Sequence, residues 1–186
     1  MTKAAEYREL VIGSGKRIEK ILYPGNAKEF ASPVTLDINP DHRPDVIWDL
    51  ECLPLPFQDD TFNEIHAYEA LEHTGTQGDH EFFFAQFSDF WRILKSDGLL
   101  FGSSPALNSP WVWGDPGHSR VITPQSFVFL DQMQYEKQIG KTAMSDYRYI
   151  YSADFELILS QERDLTSFYA LKAVKPSRVK VLAENT

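Results

Sequence analysis

The chain has 186 residues, 42% of them hydrophobic and 13% aromatic, which suits one folded domain and excludes wholesale disorder. A net charge of −9 at pH 7 opposes tight non-specific binding to nucleic acid, while leaving a local basic patch open. The single cysteine, Cys52, excludes an internal disulfide, and the polar start Met1–Glu6 lacks the apolar core of a secretion signal. No apolar run approaches the roughly 20 residues of a membrane span. A cytoplasmic protein without membrane contact is expected.

The first apolar run, Glu9 to Ile12, ends on Gly13-Ser14-Gly15. Uninterrupted apolar runs are the mark of buried parallel strands, and glycines just past one let backbone approach a ligand. Lys16 to Leu22 carries apolar residues at 18, 21 and 22, a helical spacing stopped by Pro24-Gly25. A second strand is predicted over 34–38 and carries Asp37, 22 residues after Gly15. A strand-end acid about 20 residues past a glycine turn is the arrangement that holds a ribose by its hydroxyls.

A third run, Asp45 to Trp48, ends on Asp49, but little chain separates it from the second. Either the usual crossover helix has shrunk to a turn or this run is not a regular parallel strand. Leu53-Pro54-Leu55-Pro56-Phe57 is not a central strand, since proline donates no ladder hydrogen bond. Glu64 to Tyr68 reads as a fourth strand, followed by Glu69-Ala70-Leu71-Glu72-His73. Between Asp79 and Lys95, Phe83, Phe84, Phe87, Phe90, Trp91 and Leu94 make the apolar stripe of the best helix in the chain. Leu99 to Ser104 is a fifth strand, and Asn108 to Ile122 an aromatic loop. Thr123-Pro124 starts a helix running to about Met133. Residues 154–159 and 166–174 alternate like a hairpin joined by Gln161 to Asp164. These runs predict a mostly parallel α/β sheet with antiparallel strands at one edge, spanning residues 1–175 as a single domain, with 176–186 as a flexible tail.

Several of these segments, taken in order, resemble a known family. They are Leu10 to Gly15, Asp37-Ile38-Asn39-Pro40, Asp45 to Leu50, Leu53 to Phe57, Phe62 to Ile65, Leu71-Glu72-His73 and Arg92 to Gly98. Over residues 9–130 the chain looks like a class I S-adenosylmethionine-dependent methyltransferase of the small, type 11 sort. The resemblance implies a Rossmann-like sheet of about seven strands with an antiparallel C-terminal hairpin. It also implies helices on both faces, reduced between the first three strands. It places Gly13, Ser14 and Gly15 at the methionine part of the cofactor and Asp37 at the ribose. Ile38 would lie against the adenine, Asp49 and Leu50 at its edge, and Glu69 at the strand end facing the methyl group.

Methyl transfer needs alignment and, for a hydroxyl or protonated amine, a base. The candidates are His118, Glu69, His73 and Asp115, with His118 favoured because Asp115 to Arg120 follows the fifth strand. A loop-holding hydrogen bond is the bland alternative for His118, and a structural role is the weightier reading of His73. Arg120 is expected in a salt bridge with a neighbouring acid, and Trp111 and Trp113 either wall the substrate or cover the sheet edge. His66 and His80 lack spaced partners, so no metal site is read. The acceptor is expected to be a small molecule, with a homodimer possible. A catalytically silent partner module and a nicotinamide-dependent oxidoreductase stand as alternatives, the latter opposed by Arg17 at the third-glycine position.

Overall fold

The N-terminal apolar run forms β1 (Glu9–Ile12), buried at every position because both of its faces are covered. The computed structural model describes residues 7–15, 19–23, 28–31 and 33–179. The strands β2 (Pro33–Asp37), β3 (Val46–Ile47), β4 (Phe62–Tyr68) and β5 (Leu94–Pro105) run parallel with β1. An antiparallel hairpin, β6 (Phe155–Arg163) and β7 (Thr166–Ala173), pairs with β5 through β7. The seven-stranded order is β3-β2-β1-β4-β5-β7-β6. The chain thus moves outward from β1 to β3 and returns on the other side at β4. The strand order therefore reverses between β1 and β4, the place in such sheets where ligands bind beyond the carboxyl ends of the strands.

The third run is a short but regular parallel strand, Val46 and Ile47 pairing with Leu36 and Asp37. Its crossover has shrunk to a 3₁₀ turn, Pro40–His42, started by Pro40 and capped by the Asn39 side chain, which accepts from Asp41 N. Thr35 Oγ1 donates to Asp45 Oδ2 at 2.7 Å, tying the returning chain to β2.

The helix α1 (His80–Ile93) lays Phe84, Phe87, Phe90 and Ile93 on the sheet residues Leu10, Ile12, Ile65 and Leu100. It ends two residues before the expected Lys95, because Leu94 already pairs with Phe62 as the first residue of β5. The stretch read as aromatic loop contains one helical turn, α2 (Trp111–Gly114). The helix expected over 123–133 is split into a 3₁₀ segment, Pro124–Leu130, and α3 (Gln132–Gln138). Asp131 is extended there, and its carboxylate accepts from Met133 N at 2.8 Å to start the second helix. The hairpin link is shorter than expected: Asp164 and Leu165, at φ 53° and 62°, make a two-residue turn.

The two faces of the sheet are covered differently. One carries the apolar core with α1 and the 124–130 segment. The opposite face presents Glu9, Glu64, His66 and Tyr68, and the described chain over it is residues 19–23 and 28–31. A helix was expected there over 16–22. Residues 16–18 lie outside the described residues, and Glu19 makes an isolated antiparallel bridge with Glu29 instead of a helical turn. Polar side chains hold this segment down. The Lys20 ammonium sits between the Glu9 and Glu64 carboxylates, 2.7 Å from Glu64 Oε2. Glu64 also accepts from the Tyr7 hydroxyl and from His66 Nε2, the latter at 2.8 Å. Tyr68 Oη lies 2.8 Å from His66 Nδ1 and accepts from Leu22 N at 3.0 Å.

Burial pushes the Glu64 carboxyl up, but the hydrogen bonds from His66, Lys20 and Tyr7 outweigh it, leaving the pKa at about 2. Burial holds His66 below its ordinary value of 6.5.

At the C-terminus, Arg178 Nε donates to Asp154 Oδ2 at 2.6 Å and Nη2 to Asp131 Oδ1 at 3.0 Å. Within the segment read as a loose tail, Arg178 is thus bonded to the domain. The rest of that tail, residues 180–186, and the lead-in 1–6 lie outside the described residues. Among the described residues no helix is long and apolar enough to cross a membrane.

The Glu64 network has two consequences for stability. Glu64→Gln leaves a buried Lys20 half-compensated and should lower unfolding free energy at pH 7 by about 3–5 kcal/mol in urea denaturation. A depressed carboxylate stabilises above its unfolded pKa, so the parent should lose this contribution as pH falls from 4.5 toward about 2. The variant should lack that step, and equal acid slopes for the two proteins would reject the account.

Candidate functional site

The turn after β1 is built on Gly13, whose φ is 58°. A Cβ on Gly13 would stand 3.0 Å from Ala70 Cβ at the end of β4, so both conformation and space demand glycine. Gly13 N donates to Leu36 O at 2.9 Å, continuing the ladder one residue past the strand. Two residues on, Gly15 N donates to Asp37 Oδ2 at 3.0 Å.

Asp37 is therefore shared between the turn and its own loop. Its Oδ1 accepts from Asn39 N at 2.8 Å, and its Oδ2 lies 3.0 Å from His42 Nδ1. Burial raises its carboxyl, but the bonds from Asn39, His42 and Gly15 more than reverse this and leave the pKa below the usual value. A carboxylate offers about four acceptor positions and three are taken, so Oδ1 keeps one for an incoming hydroxyl.

These residues border a cavity of 330 Å³ over the carboxyl ends of β1, β2 and β4. That volume lies at the lower end of small-ligand sites. Ile38, Trp48 and Leu50 make its apolar side, with Ile38 64% exposed and ready to cover a planar ring. Trp48 is fixed by its indole N–H, which donates to Cys52 O at 2.8 Å. Asp49 Oδ1 accepts from Glu51 N at 2.9 Å, leaving its second oxygen to a ligand.

Across the crevice, Glu69 ends β4 at φ 50°, its Oε1 accepting from Ser103 Oγ at 2.7 Å. The following turn, Leu71–His73, brings His73 to the same cavity. Arg120 secures that turn from below: Nε donates to Leu71 O at 2.9 Å, and Nη2 to Thr74 Oγ1 at 2.9 Å and to Gln86 Oε1. The salt bridge expected of Arg120 is replaced by these neutral acceptors, and burial lowers its pKa to about 10. Glu72 is 1% exposed, and neither carboxylate oxygen receives a hydrogen bond from the described residues. Burial, reinforced by the neighbouring Glu69 carboxylate, raises Glu72 to about 8.

The structure brings Gly13, Asp37, Ile38, Asp49, Leu50, Glu69 and His73 around one cavity. Ser14 is buried behind the turn, and Gly15 acts through Asp37. The His118 side chain, 6% exposed, lines neither this cavity nor the second one described below; its ring meets His73 edge-on at 4.6 Å. Trp111 and Trp113 are solvent-exposed and line neither cavity. Trp48, Glu51, Ala70 and Thr74 were not singled out from sequence. Trp48 and Glu51 flank the chosen Asp49 and Leu50, and Ala70 and Thr74 flank the Leu-Glu-His segment, so proximity was the available signal. A second cavity, of 280 Å³, opens beyond Thr76 and Gln77, walled by Phe83, Phe84, Phe129 and Tyr147.

No family model matches this sequence, and no curated protein does. Solved structures do match. A SAM-dependent methyltransferase from Archaeoglobus fulgidus superposes at TM-score 0.55 with 15% identity, covering 89% of this chain and 86% of that one. The N-methyltransferase NodS from Bradyrhizobium japonicum, solved with S-adenosyl-L-homocysteine, gives 0.53 and 13%, covering 90% and 78%. A Methanosarcina mazei structure described among SAM-dependent methyltransferases gives 0.54 and 11%, covering 92% and 94%. The strand order, the terminal antiparallel pair and these superpositions agree: the chain has the class I fold of S-adenosylmethionine-dependent methyltransferases.

Proposed function

We propose that the protein is a cytoplasmic S-adenosylmethionine-dependent methyltransferase acting on a small-molecule acceptor. The observation that carries this reading is the convergence of Gly13, Asp37, Asp49 and Glu69 on one cavity at the point where strand order reverses. The donor set fits the cofactor: a glycine where a Cβ would collide, carboxylates for hydroxyls and an exocyclic amine, and an apolar slot for a purine. Bound there, S-adenosylmethionine supplies an electrophilic methyl group.

Asp37 is assigned to the ribose, Ile38, Trp48 and Leu50 to the adenine faces, and Asp49 to its edge. Gly13 admits the amino-acid part closely, with Ser14 and Gly15 shaping the turn. Glu69, on the exposed strand end, takes the proton-accepting position foreseen for His118, whose ring is enclosed behind His73. His73 walls the acceptor side, and the aromatic cavity beyond Thr76 is assigned to the acceptor body.

Calorimetry with S-adenosylmethionine, S-adenosylhomocysteine and NAD tests the reading. Both adenosyl ligands should bind and NAD should not; failure of both adenosyl ligands would sink it. Asp37→Ala should weaken them by about 1–3 kcal/mol, as for losing a charged hydrogen-bond acceptor. His42→Ala, which frees an acceptor position on Asp37 Oδ2, should tighten them by about 0.5–1 kcal/mol, and weaker binding in that variant would reject the ribose placement. Incubation with labelled cofactor and metabolite fractions then identifies the acceptor.

A further inference from the structure

We propose that Glu72, His73 and His118 form a binding site for a divalent transition-metal ion of the zinc type. Each residue offers one donor atom, and the three atoms lie within 4.8 Å of one another. A tetrahedral ion with bonds of about 2.0–2.1 Å holds its ligands about 3.3 Å apart, so small side-chain rotations close the cage.

Three independent features favour an ion here. The Glu72 carboxylate is enclosed, with its own amide and the Glu69 carboxylate beside it, and among the described residues no cationic side chain is bonded to it. Such a group is costly to bury unless a cation accompanies it. Each imidazole turns its Nδ1 to a backbone carbonyl, His73 to Gly117 O at 3.1 Å and His118 to Val112 O at 3.4 Å. A carbonyl only accepts, so Nδ1 carries the hydrogen and the lone pair is left on Nε2. Metal-ligating histidines are oriented by this same outer-shell bond. Finally, Gly117 leaves room for the ring: a Cβ there would stand 3.1 Å from His73 Nδ1.

Asp115 supplies a fourth candidate. Its Oδ1 accepts from Gly117 N at 2.7 Å, while Oδ2 stands 4.0 Å from His118 Nε2. That separation is too long for a hydrogen bond and longer than the roughly 3.3 Å between ligands of a tetrahedral ion, so Asp115 lies outside the three-residue cluster and would have to turn inward to join it. Two imidazoles with carboxylates suit Zn²⁺ or Co²⁺, whereas Mg²⁺ and Ca²⁺ favour all-oxygen cages. Because His73 also borders the 330 Å³ cavity, the ion would tie the 115–118 loop to the cavity wall. The two histidines come from segments far apart in the chain, so local ligand spacing gave no sign of the site.

The test uses the chelator-treated full-length protein, titrated with Zn²⁺ alone and with Co²⁺ alone, without adenosyl ligand. One equivalent per chain should bind at micromolar or tighter affinity, and Co²⁺ should give the ligand-field absorption of a low-coordinate site. His73→Ala removes an exposed side chain and Glu72→Gln keeps the enclosed shape. Each should weaken binding at least about 10-fold, with an unchanged circular-dichroism spectrum. No binding by the parent, or parent-like affinity in both folded variants, would overturn the proposal. Calorimetry with S-adenosylhomocysteine on the same preparations reports on the cofactor site separately.

Discussion

The close approach of β1 and β4 at their carboxyl ends is the constraint on which the rest of the site depends. Gly13 turns the chain at φ 58°, a conformation strained for any side chain, and a Cβ there would press on Ala70 at 3.0 Å. Because the turn is that tight, the Gly15 amide reaches Asp37, and the β2 end is drawn toward β1. Because Ala70 is small and close, Glu69 and His73 face the same space from the other side. One crowded contact therefore places groups from three strand ends around one volume.

The reverse face of the sheet meets a different requirement. An apolar helix covers such a face cheaply, since its side chains need no partners. Here the described cover is an irregular segment, and an irregular segment brings backbone groups and polar side chains that must be satisfied. The Lys20–Glu9–Glu64–His66–Tyr68 chain of contacts meets that demand, with Phe30 edge-on to His66 and Phe101 stacked on it. Removing one member of such a network is expected to cost more than removing an apolar contact, because the remaining charges stay enclosed.

Much of the 330 Å³ cavity's lining was legible in sequence because it depends on strand ends. Gly13, Asp37, Asp49 and Glu69 each follow an apolar run directly, and sheet topology then brings strand ends together without reference to loop conformation. The helix expected over 16–22 was misjudged at Glu19–Leu22 because three apolar positions over two turns satisfy helical spacing without a tertiary face to reward it. For His118 the sequence left a substrate-side role and a loop-holding hydrogen bond open, and could not choose between them. Its position depends on how the 108–122 loop folds, and that loop turns the ring inward against His73 and Val112 O. Arg120 was expected to seek a carboxylate, yet its directional donors find Leu71 O, Thr74 Oγ1 and Gln86 Oε1, which no local pattern links to it.

Glu72 and Arg120 show how the wall of the cavity is balanced. Both are enclosed, and enclosure disfavours charge on each: it raises the carboxyl to about 8 and lowers the guanidinium to about 10. Their mutual attraction opposes both shifts but acts without a direct ion pair, because the guanidinium is committed to neutral acceptors. The Leu71–His73 turn is thus fixed by the Arg120 side chain on Leu71 O and by the Glu72 carbonyl, which accepts from Ser119 N and Arg120 N, while the Glu72 carboxylate takes no part in holding it. An enclosed carboxyl with no cationic side chain bonded to it is the part of this wall most open to control by a bound cation.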